Sequence, residues 1–408
     1  MKILHLMSAF DIDFPGGITN YLRTLAASQI VAGDDVYVID GSAAPGWKLH
    51  PLGFKVMGTS ATAGDHFVLS MKQDRPGTDL LIELVSELDP EVIHFHLTSG
   101  LGIDFYRRLA ESGVKYVVSL HDYYLFCPRV TMMNSAGENC GGPEKSKCER
   151  CIGVLDQVDP LFRISRKVGL PLPRVRSSAV TARNQEIEFF LRQASALLAV
   201  SARVKELYKT MYPDANYVVS HIGSSSANVK RAEKTPSERL RLTFIGTLAK
   251  FKGAELLERI AQDLSSDDFV IQFFGRFDRP GVGRAAIAAG VEMHGPYVPA
   301  DLPEIMSITD VGLVLPIWED NAPQVVMEFL NYGVPVIATR MGGIPDFVSE
   351  TNGFLFDPNN DHEYAAMLNF LQGLDLNEVR RWGLSLPRLS LPADHQAEVQ
   401  ALYGGITA

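Results

Sequence analysis

Short runs in which almost every position is apolar alternate along this chain with longer stretches of mixed character. The first series is "KILHLM" (2–7), "DVYVID" (35–40), "EVIHFHL" (91–97), "KYVVSLH" (115–121), "ALLAVS" (196–201) and "NYVVSHI" (216–222). Apolar residues at consecutive positions mark strands buried on both faces, and strands of that kind build parallel sheets. The stretches between them supply the crossover helices. Residues 223–238, "GSSSANVKRAEKTPSE", break the pattern with Ser, Asn, Lys and Pro, and read as a linker. A second series follows: "LRLTFIGT" (240–247), "FVIQFFG" (269–275), "VEMHG" (291–295), "VGLVLPI" (311–317), "VPVIAT" (334–339) and "GFLF" (353–356).

The pattern predicts an α/β chain of two doubly wound, Rossmann-like domains facing a central cleft. The domains are residues 1–223 and 239–389. The tail, 390–408, contains the short helical stretch "DHQAEVQALY" (394–403), which is expected to return to the first domain. Folds of this kind bind ligands outside the carboxyl ends of their strands, which makes the cleft the expected site. Length agrees, because 408 residues exceed one ordinary core. Composition adds little: 46% hydrophobic and 21% charged is usual for a soluble protein. No apolar run approaches the roughly 18 residues that span a bilayer. "MKILHLMSAFDID" reads as a strand rather than a signal peptide, so a cytoplasmic location is expected. A net charge of −10 argues against nucleic acid as a partner.

Several stretches can carry chemistry. "FPGGITNYL" places Gly16 and Gly17 between the first strand and the first helix, where a ligand meets free N–H groups and the positive end of a helix dipole. It is not G-x-G-x-x-G, so a dinucleotide is not the expected ligand. "GTLAKFKG" repeats the arrangement in the second domain, with Gly246, Thr247, Lys250 and Lys252; its lysines suit a diphosphate or a solvated surface. "WEDNAPQVVMEF" sets Asp320 and Asn321 in a loop, and Pro323 in the first turn of a helix. Glu328 follows on the face of Gln324 and Asn331. Neither carboxylate has a basic neighbour in sequence. They read either as diol-binding acids around an anion-binding helix start or as a polar stripe. "TRMGGIPDFV" is expected to pack beside them. His121 ends a strand, where this architecture places its chemistry, whereas His94 and His96 lie within a strand and read as satisfied core residues.

Cys127, Cys140, Cys148 and Cys151 fall in one loop and read either as a structural zinc site or as reduced thiols. "LFRISRKVGLPLPRVR" (161–176) mixes basic and apolar residues. It suits either weak peripheral contact with the inner face of a membrane or an ordinary basic surface.

Together these pieces resemble retaining glycosyltransferases of the GT-B fold in glycosyltransferase family 4. The resemblance runs from Lys2 to about Pro358. It rests on "GGITNYL", on "LHDYYLFCPR" and, most specifically, on "WEDNAPQVVMEFLNYGVPVIATRMGGIPDFV" followed by "NGFLFDP". It implies transfer of a sugar from a UDP- or GDP-sugar to a saccharide, lipid-linked or other hydroxyl acceptor, with no catalytic metal. It also implies that Asp320 contacts the sugar, Glu328 the ribose, Lys252 and Gly17 the diphosphate, and His121 the transferred sugar. Gly16, Gly246, Thr247, Asn321, Ala322, Pro323 and Gln324 complete the implied donor site. Two positions depart from the family pattern: Asp320 replaces a glutamate, and Thr247 replaces an arginine. A sugar-nucleotide epimerase of the same fold would turn over donor without acceptor. A two-domain sugar-binding protein would need no nucleotide.

Overall fold

Each of the twelve apolar runs forms a strand in the computed structural model, which describes residues 1–7, 12–13, 16–41, 43–59, 73–134, 137–152, 164, 167–170, 177–231, 233–389 and 392–407. The chain divides into two compact units, Met1–Ile222 with Pro392–Ala408, and Gly223–Leu391.

The first unit holds β1 (Lys2–Met7), β2 (Asp35–Asp40), β3 (Gly46–Leu49), β4 (Lys55–Gly58), β5 (Val92–Leu97), β6 (Tyr116–Leu120), β7 (Ala196–Ala199) and β8 (Tyr217–Val219). They form one sheet in the order β3-β4-β2-β1-β5-β6-β7-β8. All neighbours pair parallel except β3, which runs antiparallel to β4. The edge strand β3 and its neighbour β4 are absent from the sequence expectation. β3 is exposed along its whole length, so no apolar run announces it. The second unit holds β9 (Leu240–Leu248), β10 (Phe269–Phe277), β11 (Glu292–Gly295), β12 (Val311–Val314), β13 (Val336–Thr339) and β14 (Gly353–Phe356). Its sheet is parallel throughout, in the order β11-β10-β9-β12-β13-β14.

Strand order reverses between β1 and β5 in one sheet and between β9 and β12 in the other. At such a reversal the following connections leave in opposite directions and open a crevice at the carboxyl ends. Both faces of the second sheet are buried. Leu242 and Phe244 pack with Leu257 and Ile260 on one side, and Ile245 packs with Val326, Phe329 and Leu330 on the other.

The segment read as a linker is packed on the second unit. Lys234 donates to Met306 O at 2.8 Å, near the end of the helix Leu302–Ser307, and burial pulls its amine down to about 8. Asn331 Nδ2 donates to Ser226 Oγ at 3.1 Å. Lysine at a helix C-terminus satisfies carbonyls that have no partner within the helix. The polar composition thus serves docking rather than flexibility.

The helix Pro392–Thr407 lies on the first unit. Val399 and Tyr403 join Ile3, Leu25 and Val92 in one core cluster. Gln400 Nε2 donates to Asp34 Oδ2 at 2.9 Å. Among the described residues no helix is long and apolar enough to cross a membrane. The basic stretch 161–176 lies mostly outside the described residues; Ile164, Lys167, Val168 and Leu170 within it are exposed.

Candidate functional site

The missing partner of Asp320 comes from far along the chain. Lys252 Nζ lies 2.6 Å from Asp320 Oδ2. Lys252 follows β9 and Asp320 follows β12, so the reversal of strand order is what brings them together. Lys252 is half-buried and Asp320 buried. The ammonium also stands over the Trp318 ring, 5.0 Å from its centroid, and Phe251 meets that ring edge-on at 5.8 Å. Gly342 holds the other side. Its φ is +55°, and a Cβ there would collide with the Asp320 backbone, while Gly343 N donates to Asp320 O at 2.7 Å. The "MGGI" turn therefore fixes the Asp320 loop from behind.

Helix Gln324–Asn331 starts three residues after Asn321. Pro323 is its N-cap, φ −67° and ψ 114°, and not a first-turn residue as the sequence suggested. Its extended ψ keeps it outside the helix. No side chain caps this start. Val326 N donates to Pro323 O at 3.1 Å, and the N–H groups of Gln324 and Val325 ahead of it remain available to an anion beside Lys252. Asn321 is buried, Ala322 and Gln324 are half-buried.

Glu328 occupies a different setting. It is half-buried, and among the described residues no basic side chain pairs with it. Burial pushes its carboxyl up to about 7. Burial, and then the charge of Glu328, raise the phenols of Tyr297 and Tyr332, which locates Glu328 beside two aromatic residues. Asn331, on the expected shared face, is instead fully buried; its Oδ1 accepts from Leu389 N at 2.8 Å. The polar stripe therefore divides: Asn331 supports the fold and Glu328 does not.

Gly246 is half-buried and Thr247 exposed near the end of β9. Sequence reasoning passed over Arg276, which stands in register beside Thr247 on β10 and is exposed. The signal was a cation on the next strand along the chain, and pairing register is not readable from sequence.

In the first unit Gly16 N-caps the helix Gly17–Val31, and its N–H donates to Thr19 Oγ1 at 3.2 Å. An added Cβ on Gly17 would meet open space, so packing does not demand glycine there. His121 follows β6 directly and is buried; burial holds its imidazole down at about 3. The loop after it is anchored by Arg183, fully buried, which donates to Leu125 O at 2.9 Å and to Tyr124 O. Asp122 accepts from Tyr124 N at 2.8 Å, and burial lifts its carboxyl to about 6.

The loop continues into the cysteines. All four are half-buried. Burial, and then the neighbouring Cys140, Cys148 and Cys151, push the Cys127 thiol up to about 12. The sulfurs are near enough to act on one another's charge, but among the described residues no three of them lie within 4.8 Å of one another, as His5, His94 and His96 do. A divalent cation would reverse the penalty, because thiolate is the ligating form.

The comparisons with known proteins follow this division. The model of glycosyltransferase family 4 matches residues 15–222, and that of glycosyl transferases group 1 matches 239–372. Spore coat protein SA of Bacillus subtilis is 25% identical over 191 residues, 42% of this chain and 50% of that protein. The D-inositol 3-phosphate glycosyltransferase of Thermobifida fusca is 24% identical over 181 residues, 39% of this chain and 40% of that one. The match thus spans half or less of each relative's length. Among solved structures, sucrose-phosphate synthase from Thermosynechococcus elongatus superposes with a TM-score of 0.65 at 15% identity, covering 100% of this chain and 96% of that one. Anabaena HepE in complex with UDP superposes at 0.61 and 14% identity, covering 99% and 100%. These neighbours carry the GT-B fold, and the first family model alone accounts for half of the sequence: the chain belongs to glycosyltransferase family 4.

Proposed function

We propose that this protein transfers a sugar from a nucleotide-sugar donor to a hydroxyl of a saccharide or lipid-linked acceptor, with retention at the anomeric carbon. The observation that carries the reading is the Lys252–Asp320 pair beside an uncapped helix start. A cation, a carboxylate and a set of free N–H groups at one strand end suit a sugar joined to a diphosphate. Breaking the sugar–phosphate bond builds negative charge on the leaving phosphate. Lys252 and the first-turn N–H groups are oriented for that charge beforehand, which is where such groups are worth most. Asp320 accepts from sugar hydroxyls, and Glu328, once ionised, accepts from the ribose diol. His121 contacts the transferred sugar. The leaving phosphate takes the acceptor's proton on the face from which it departs, which gives retention without a side-chain nucleophile. Gly17 lets the diphosphate approach the backbone N–H groups at the start of the first helix. Cys127, Cys140, Cys148 and Cys151 would hold a structural zinc that braces the loop after His121.

HepE binds UDP and UDP-glucose, as its solved complexes state, and this makes UDP-glucose the first donor to try. The test is a thermal-shift screen with UDP, GDP, ADP and dTDP and their sugars, followed by turnover with and without acceptors. A ligand bound only by the folded state raises the melting temperature. The reading fails if no nucleotide shifts it at millimolar concentration. Donor turnover that needs no acceptor and yields an epimer would favour the epimerase.

A further inference from the structure

Lys252 does not bring a free charge to the site of the second unit, because Asp320 already faces it at 2.6 Å. The diphosphate of a nucleotide sugar carries about two negative charges, and breaking the sugar–phosphate bond adds about one more. The helix start at Gln324 offsets about half a charge. The remainder calls for a cation that has no acid of its own.

Most cations at the carboxyl ends of the second sheet are already engaged. Lys250 lies 3.4 Å from Glu255, Arg279 lies 3.5 Å from Asp278, and Arg340 lies 3.1 Å from Glu363. Arg276, the penultimate residue of β10, is the exception: it is exposed, and among the described residues no acid pairs with it.

Its place follows from the pleat, which sends successive side chains to opposite faces. Ile245 on β9 and Phe274 on β10 belong to the core cluster that holds Val326, Phe329 and Leu330 of the helix Gln324–Asn331. Thr247 and Arg276 come two residues later, in register with each other, so both stand on the face that carries this helix. Leu248 returns to the opposite core with Phe244 and Leu257, so the alternation holds through the intervening glycines. The two backbones are close there: a Cβ on Gly275 would lie 1.6 Å from Gly246 O. β9 lies between β10 and β12 and runs on into the loop of Lys252. Thr247 brings no charge, and the Arg276 backbone stands one strand spacing from it, about 4.8 Å.

We propose that Arg276 is a diphosphate-binding residue that completes, with Lys252 and the N–H groups of Gln324 and Val325, the anion site of the second unit. A guanidinium suits this place better than an ammonium, because its planar fork takes two phosphate oxygens at once. The inference deepens the function proposed above and rests on it for the sugar alone, since a diphosphate needs no sugar to be held here.

The test is titration calorimetry with inorganic pyrophosphate and with UDP; pyrophosphate reads the anion site without base or sugar. Wild type should bind both. Arg276→Ala should weaken both about three- to fivefold, the effect of losing a solvent-exposed ion pair, and Arg276→Lys should recover only part of the loss. Arg284→Ala is the control. Arg284 opens the helix Arg284–Ala288, whose Ala286 packs in the opposite core, so this variant removes the same charge from the same connection and should bind as wild type does. Equal losses in the two variants would leave net charge as the only cause and overturn the proposal. Pyrophosphate affinity unchanged in Arg276→Ala would overturn it too. Pyrophosphate binding that needs Arg276, in a protein that binds no nucleotide, would uphold the inference and remove the proposed donor. A wild type that binds neither ligand overturns both.

Discussion

Glu328 makes nucleotide affinity depend on pH in a way that can be worked out beforehand. Its carboxyl sits at about 7 because burial penalises the charged form and, among the described residues, no cation pairs with it. A ribose diol donates hydrogen bonds and so prefers the carboxylate. At pH 6 about nine-tenths of Glu328 is protonated, at pH 7 about half, and at pH 8 about a tenth. If the nucleotide takes only the ionised form, affinity should fall about tenfold from pH 8 to pH 6, and binding at pH 7 should release about half a proton. The nucleotide's own terminal phosphate titrates near 6, so the informative quantity is the difference from Glu328→Gln. The amide cannot titrate, and its affinity should be about ten- to hundred-fold weaker at pH 8, the worth of hydrogen bonds to a charged group. Titration calorimetry with UDP, in two buffers of different protonation enthalpy, reads both affinity and proton release. Equal pH slopes in wild type and variant would refute the ribose assignment.

The same residue affects stability. A raised carboxyl contributes stability that is complete below its unfolded value of 4.5 and lost as pH rises through about 7. Glu328→Gln should therefore match the wild type near pH 4.5 and exceed it by about 2 kcal/mol at pH 8 in urea unfolding, after allowance for solvent. The buried histidines act in the opposite sense. The folded state holds His5 down at about 4, so its contribution is complete above 6.5 and lost as pH falls. Unfolding free energy measured from pH 7.5 to 5 should drop with uptake of several protons. Asp320→Asn should reduce turnover while UDP affinity changes less than about twofold, because the sugar and not the nucleotide meets that carboxylate. Arg276→Ala should weaken UDP binding severalfold if the exposed guanidinium serves the position where Thr247 carries no charge, as calorimetry would show. Metal analysis of protein purified without added metal should give one zinc per chain; four freely titratable thiols and no metal would remove that site.

What sequence made legible here follows from local physics. Every strand buried on both faces announced itself as an apolar run. The edge strand β3 did not, since it is exposed along its length, nor did its neighbour β4, whose four residues are too few to show a period. The acids were visible, and so were the glycines beside them. Their use was not, because Lys252 is 68 positions from Asp320 and only the strand order joins them. The buried cluster of His5, His94 and His96 left a partial signal. His94 and His96, two apart in a strand, must share a face. That His5 lies on the neighbouring strand in register with them depends on sheet pairing. Pro323 was misplaced by one position, an error of cap geometry that propensity does not resolve.

The helix Pro392–Thr407 gives the first unit a dependence on time. On the ribosome, residues 1–222 emerge before any of 223–391 is made, and this helix comes later still. At about 5–20 residues per second the wait is roughly 10–40 s. Throughout it, Tyr21 lacks the imidazole of His395 and His94 lacks the hydroxyl of Tyr403, which lie 2.8 and 2.5 Å away once the chain is finished. Polar groups buried without partners are costly, so the nascent unit stays partly open on that face rather than closing over them. The apolar surface around Ile3, Leu25 and Val92 stays uncovered during the same interval. The first unit is thus completed by a segment made after the second, and a chain stalled during synthesis of the second unit carries an unfinished first one.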